Sequence, residues 1–526
     1  MSDLSDEFGP RSPANGSPGR GLEDRVARGL TWTLVDTWGR QALNLAVFLV
    51  LARLLEPADF GLVTLAAVFV QFAQLVVDQG LGDALIQRRD LRPSHIDTAF
   101  WVAVATGLLL TVALLLLAGP IAAALNEPGL APILQVLSLT FVLSAFTSIQ
   151  VAILRRQLAF RSLAARALAA SLGGGVVGIA MALLGFGAWA LVGQLVASAI
   201  LSVLALWWVT PWRPSRHWSR AEFRELFGFG AHVMAGDILT FLTRNMDNLL
   251  IGAFHDATQL GYYGVGYRIL SVSQTVLVQV TRKVSFPAFS LIQDDRERMR
   301  RAYFRVTRAA AVVILPGYIG LSLVATELTV VFFGARWEPS GQVATILFLI
   351  GPVLSVQAFS NALLNAAGHP DVAFRFRLVT TVVTVAGFAI AVPFGIIAVA
   401  AAFVARGYLL LPLNLRWMER YAGIPTREYL VQLRGVALAT ALMAAAVLLT
   451  KLLLGQVLGT AGLLGVEALV AIATFPTALW LLDAETLRDV SRVVGMALPL
   501  RRRRRSSGPG AEDRDTGDGG AGAGPV

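Results

Sequence analysis

The sequence predicts an all-α polytopic membrane protein of about fourteen transmembrane helices, arranged as two parallel six-helix repeats and two extra C-terminal spans. Three observations predict it. The 526 residues are 56% hydrophobic, with a mean hydropathy of +0.65, more apolar than a globular domain. Apolar stretches of about twenty residues, the length at which an α-helix crosses the hydrocarbon core, recur almost to the end of the chain. The connections between them alternate in arginine content, and one hairpin motif returns in the second half.

Taken in order, residues 1–29 are polar and rich in Ser, Gly, Pro and charge, the composition of a disordered cytoplasmic tail. The spans start near Leu30, Gly61, Thr98, Leu130, Leu163, Gly187, Leu226, Tyr262, Ala309, Gly341, Val372, Gly395, Gly435 and Ala461. The first is expected to act as its own uncleaved anchor. This divides the chain into an N-lobe at 30–210, a cytoplasmic connector at 211–225, a C-lobe at 226–420, a final pair of spans at 421–483 and a basic, largely disordered tail at 484–526.

One set of connections holds Arg88, Arg89 and Arg92, then Arg155, Arg156 and Arg161, then Arg213, Arg216, Arg220 and Arg224, and continues in kind to Arg427. The other set holds little beyond Arg53 and Arg336. The positive-inside rule places the first set and both termini in the cytoplasm. A formal charge of +10 therefore reads as membrane topology and not as nucleic-acid binding. The segments 211–225 and 293–308 read as amphipathic connectors at the interface, with Trp212, Trp218 and Tyr303 as anchors.

The repeat pairs Glu56-Pro57-Ala58-Asp59-Phe60-Gly61-Leu62 with Asp256-Ala257-Thr258-Gln259-Leu260-Gly261-Tyr262, 200 residues on. It also pairs Phe186-Gly187 with Phe394-Gly395, 208 residues on. Because six spans is an even number, both halves enter from the same side, and a site is expected between them. Gly173-Gly174-Gly175 permits close helix approach or a hinge and, following no strand, is no nucleotide loop.

The landmarks Leu51-Ala52-Arg53-Leu54-Leu55 through Phe60-Gly61, Asp78-Gln79-Gly80-Leu81-Gly82, Asp247-Asn248-Leu249-Leu250-Ile251-Gly252 with Leu260-Gly261-Tyr262-Tyr263, and Phe286-Pro287-Ala288-Phe289-Ser290 resemble the polysaccharide-transporter branch of the MATE/MOP flippase superfamily. The resemblance is to the Wzx-type exporters of lipid-linked oligosaccharides and, through the two extra spans, to the lipid II flippases. It implies a V-shaped pair of lobes around a lumen lined by the first, second, seventh and eighth spans. It also implies a flippase that moves a polyprenyl-pyrophosphate-linked oligosaccharide, a polysaccharide, O-antigen or exopolysaccharide precursor, across the bacterial plasma membrane by alternating access. Neither enzymatic chemistry nor a cofactor or metal is expected. The implied partners are the lipid-linked glycan, membrane lipids and polysaccharide polymerase or export proteins.

Charged groups within spans are costly and face a bundle interior or a wet cavity. The first span sets Trp32, Asp36, Arg40 and Asn44 four apart on one helical face, where Asp36 and Arg40 either pair at i,i+4 or face the lumen. With the lumen the resemblance implies, the pyrophosphate and sugar residues are Arg40, Asn44, Gln71, Gln74, Arg244, Arg268, Gln274, Arg282 and Lys283. Arginine forks match a phosphate and lysine adds a point charge. Arg282 and Lys283 also lie near enough to the cytoplasmic end to reach headgroups. Asp36, Asp78, Asp237 and Asp247 are candidates for ion coupling or for polar contacts between helices. Arg406, Asn361 and Asn365 read as bonds between helices.

No lysine follows a glycine, so no Walker loop exists, and His95, His217, His232, His255 and His369 stand singly without metal-ligand spacing. A MATE-like multidrug cation antiporter is the second reading, and predicts a lumen dominated by carboxylates. A membrane-embedded glycan ligase or polymerase is the third, and predicts a sizeable polar outer loop.

Overall fold

The computed structural model describes residues 38–78, 91–290, 296–357 and 368–486, with isolated positions between them. Among the described residues every regular element is a helix. The N-lobe holds α1 (residues 38–54), α2 (Pro57–Asp78), α3 (Pro93–Ala124), α4 (Leu130–Arg156), α5 (Phe160–Leu183) and α6 (Ala188–Val209). The C-lobe holds α7 (Arg220–Phe254), α8 (Ala257–Ser290), α9 (Arg296–Phe333), the broken pair α10 (Glu338–Phe348) and α11 (Gly351–Gln357), α12 (Pro370–Ala391) and α13 (Ile396–Ala422). A last pair, α14 (Thr426–Leu454) and α15 (Thr460–Leu482), follows. Eleven described segments are long and apolar enough to cross a membrane. Helices α1, α7 and α8 are not among the eleven; α7 and α8 are long but more polar.

Local chemistry sets the boundaries. Pro57, Pro93 and Pro370 open α2, α3 and α12, where a missing N–H costs nothing because the first turn has no acceptor for it. His95 caps α3 by accepting the Arg92 N–H on Nδ1 at 3.2 Å, a structural use of that imidazole. Gly187 and Gly395, paired in the sequence repeat, precede α6 and α13 with φ of +54° and +96°. The same backbone region, open chiefly to glycine, turns the chain at the same place in both lobes.

The packing map repeats as well. In the N-lobe α3 pairs with α4, α2 with α4, and α5 with α6; in the C-lobe the equivalent pairs are α9 with α10, α8 with α10, and α12 with α13. The Gly173-Gly174-Gly175 run serves close approach: a Cβ on Gly174 would stand 1.9 Å from the Ser198 Oγ of α6. Exposed Leu109, Leu116, Leu204, Ile390, Leu409, Leu452 and Ile472 cover the outside, as a lipid-facing surface requires. The pair α14 and α15 packs on α9.

At the arginine-poor end the lobes are joined. The Arg53 guanidinium donates to the carbonyls of Phe332 at 2.8 Å and Val331 at 2.6 Å, satisfying the carbonyls that end α9. In the reverse direction, Trp337 Nε1 donates to the Ala52 carbonyl at 2.7 Å and Arg336 to that of Leu55 at 3.3 Å. Glu127 caps α8 by accepting the Ala257 N–H at 2.9 Å. Phe60 and Tyr262 each set an edge against the fully buried Trp337 ring, at 5.3 and 6.2 Å between centroids.

At the arginine-rich end the connector is tied to α3. Asp97 accepts the Ser215 N–H at 3.1 Å and its hydroxyl, Trp101 Nε1 donates to the Ser215 carbonyl at 2.7 Å, and the Ser94 and Thr98 hydroxyls donate to Glu222 at 2.5 and 2.9 Å. Two of the three expected anchors are buried and do not sit at the interface. Trp212 is buried with its ring 5.6 Å from that of Phe100, because the connector folds back on α3. Tyr303 is fully buried beside Tyr429, because α9 already begins at Arg296 and α14 packs on its first turns. Trp218 is exposed.

Candidate functional site

A cavity of about 400 Å³ lies where α8 meets the N-lobe. Its polar lining is Asn44 from α1, Thr64 from α2, Ser171 from α5, Gln194 and Ser198 from α6, and Arg268 from α8. Leu51, Phe60, Val63 and Leu191 supply apolar wall. The volume falls within the range of small-molecule sites, which are mainly apolar with a few convergent polar groups.

Among the described residues Arg268 is the one charged group of the lining. Gly264, one turn earlier on the same face, lets α8 lie against Thr64 of α2, so that Arg268 projects across the lobe boundary into the N-lobe. Its guanidinium sits 5.9 Å from the Phe48 ring centroid, within cation–π range, and has no hydrogen-bond partner among the described residues. A five-donor fork held over an aromatic face, with no partner among the described residues, has the donor geometry that an anion could accept from.

Helical periodicity extends the site toward the arginine-rich end. Thr64, Ala67, Gln71 and Gln74 form a stripe at i, i+3, i+7 and i+10 along α2; the first two line the cavity and the last two continue the same face. On α1, half-buried Arg40 stands one turn before Asn44. Gln274 is half-buried on α8, six residues beyond Arg268 and off its face. Arg244 is exposed on α7, outside the cavity lining.

Asp247 has a different setting. It is buried inside the C-lobe, where Tyr263 donates its hydroxyl to Oδ2 at 2.7 Å and the Asn248 N–H donates to Oδ1 at 2.8 Å. Tyr263 stacks on Tyr267, and Arg406 lies over the Phe403 ring while donating to Thr384 of α12 at 2.8 Å, the bond between helices expected of it. Asp237 is exposed ten residues earlier on α7, about 15 Å along the axis, so the two acids do not share a site. Asp36 and the side chains of Asp78, Arg282 and Lys283 lie outside the described residues, as do Asn361 and Asn365.

The structure thus brings Asn44 and Arg268 together, aligns Arg40, Gln71 and Gln74 with them, and leaves Asp247 elsewhere. Sequence reasoning missed Thr64, Ser171, Gln194 and Ser198. A usable signal existed: Gln194 and Ser198 are one turn apart on α6, facing the glycines of α5.

The helical bundle has solved counterparts. The chain superimposes on a lipid II flippase MurJ in an inward closed conformation with a TM-score of 0.71 and 13% identity, covering 87% of this chain and 100% of that one. It superimposes on an inward-facing multidrug resistance MATE transporter with a TM-score of 0.57 and 16% identity, covering 73% and 94%. The fold is therefore the one these two transporters share. Residues 50–342 match the family described as polysaccharide biosynthesis protein, and the chain belongs to that family. Among its relatives, the lipopolysaccharide biosynthesis protein WzxC of Escherichia coli (strain K12) is 29% identical over 362 residues, 68% of this chain and 74% of that protein. The succinoglycan biosynthesis transport protein ExoT of Rhizobium meliloti (strain 1021) is 28% identical over 359 residues, 68% and 73%.

Proposed function

We propose that this protein is a flippase that carries a polyprenyl-pyrophosphate-linked oligosaccharide across the bacterial plasma membrane, as a transporter and not an enzyme. The observation that carries this reading is the unpaired Arg268 guanidinium facing hydroxyl and amide groups in a cavity between the lobes. The guanidinium takes the pyrophosphate, while Asn44, Gln194 and Ser198 offer donors and acceptors to sugar hydroxyls. The lipid tail stays in the bilayer. Arg40, Gln71 and Gln74 form the approach from the arginine-rich, cytoplasmic side, with both termini on that side. In this topology α1, α7 and α8 cross the membrane with the eleven apolar segments, giving fourteen spans. Arg244, Gln274, Arg282 and Lys283 act at the wider mouth, and Asp36, Asp78, Asp237 and Asp247 remain the candidates for ion coupling. Polysaccharide polymerase or export proteins receive the product.

Release requires the lobes to part at the arginine-poor end, breaking the bonds of Arg53, Arg336, Trp337 and Glu127 and opening the opposite end of the same cavity. A drug-cation antiporter fits less well, since no carboxylate is among the described residues that line the cavity. The test is accumulation of lipid-linked oligosaccharide in the cytoplasmic leaflet of cells lacking the gene, restored by the native chain and not by Arg268→Ala. Normal leaflet distribution in the deleted strain would remove the reading.

A further inference from the structure

A second polar cluster lies away from the cavity, where the C-terminal helix pair packs on the C-lobe. Lys451 of α14 donates to Glu327 Oε1 of α9 at 2.6 Å and to the Leu323 carbonyl at 3.2 Å. Glu467 of α15 lies within electrostatic reach of both side chains. It is 0% exposed, and among the described residues neither of its carboxylate oxygens has a hydrogen-bond partner; Glu327 Oε2 is buried and likewise without one.

The cluster has fewer donors than acceptors. Ionised carboxylates only accept, so Glu327 and Glu467 cannot satisfy one another. The Lys451 ammonium has one N–H left for three unpartnered oxygens. Two carboxylates against one ammonium leave a net negative charge between three membrane-crossing helices, a setting that strongly disfavours an unpaired ion. The nearest other charged residues on these helices, Arg308 and Arg434, are nineteen and seventeen positions from Glu327 and Lys451, about 25 Å or more along the axes.

We propose that this cluster binds one small monovalent cation, a proton or a sodium ion, between the Glu467 carboxyl and the free oxygen of Glu327, with Lys451 as the fixed counter-charge. Filled, the cluster is neutral and holds α14 and α15 on α9. Emptied, it carries a net charge that loosens this packing, so occupancy decides whether the C-terminal pair moves with the C-lobe. Lys451 lies three residues from the end of α14 and Glu467 seven residues into α15, so exchange runs to the arginine-poor face. The site stands on its own geometry and does not depend on the glycan reading.

The experiment uses the full-length protein in lipid nanodiscs, with infrared difference spectroscopy of the carboxyl C=O stretch in water and deuterium oxide and with radioactive sodium binding. A protonated carboxyl band at neutral pH, isotope-shifted and lost in Glu467→Gln, identifies the proton. Saturable binding of one sodium ion per chain, lost in Glu467→Gln, identifies sodium. If Glu467→Gln does not insert, Glu327→Gln is read in the same way. Native protein showing neither signal, or signals unchanged in the variants, overturns the proposal.

Discussion

Gly61 and Gly261, 200 residues apart in the sequence, each lie against the backbone that opens the other's helix. A Cβ on Gly61 would stand 1.7 Å from the Ala257 carbonyl oxygen, and one on Gly261 would stand 1.8 Å from that of Pro57. The pseudo-symmetric contact brings α2 and α8 to backbone distance and closes the arginine-poor end.

Gly61→Ala is therefore expected to push the lobes apart at that end. Overpacking costs about 1–3 kcal/mol, and a bias of about 1.4 kcal/mol is tenfold in the open population. The chain has no cysteine, so a single cysteine at Val63, on the cavity wall, reports the opening cleanly. Its labelling by a membrane-impermeant maleimide should rise about tenfold in Gly61→Ala. Equal labelling in both backgrounds would show that this contact does not gate the cavity.

Trp337→Phe retains most of the buried ring but removes the donor to the Ala52 carbonyl. A buried acceptor left without its partner costs about 1–3 kcal/mol. The expected outcome is a lower thermal midpoint in detergent and faster labelling at the same reporter, and an unaltered midpoint would deny the bond a role in closure.

Substitutions at Arg268 separate charge from geometry. Arg268→Ala should reduce glycan export at least tenfold with normal protein in the membrane, about 1.4 kcal/mol or more of lost anion binding. Arg268→Lys should recover only part of it, because a point charge does not reproduce the planar fork. Full export by the lysine variant would mean that any positive charge suffices.

The connector carries a pH dependence. Burial pushes the Glu222 carboxyl up, but the hydroxyls of Ser94 and Thr98 and the neighbouring His95 and His217 outweigh it and hold the group below its ordinary value of 4.5. A depressed folded-state value stabilises the attachment above the ordinary value, and that contribution is lost as the pH falls through the depressed one. Pulsed hydrogen exchange at residues 211–219 should show protection falling only at pH below about 4.5. Glu222→Gln should flatten that profile; a profile unaffected by the substitution would assign the acid response to another group.

Much of the architecture was legible because it rests on local rules. The pairing of Glu56–Leu62 with Asp256–Tyr262 led to the lobe junction, since a helix start that must approach another backbone demands glycine at a fixed position. Arg268 stood out because a charge inside a span needs a reason. Thr64, Ser171, Gln194 and Ser198 did not, because neutral polar side chains within helices are cheap and common. Trp212 and Tyr303 were read as interfacial anchors because amphipathic aromatics suit that place, and only the returning connector and α14 bury them.

The sequence by itself determined a two-fold-repeated helical membrane protein, since apolar length, arginine alternation and paired glycines are properties of single segments. Tertiary structure decided which polar groups share a space. It set Arg268 of one lobe among the amides and hydroxyls of the other, closed Asp247 within the C-lobe, and gathered Glu327, Lys451 and Glu467 from three helices. The physical reason is that a side chain's partners depend on helix rotation and on the neighbours packed against it, which spacing along one helix does not encode.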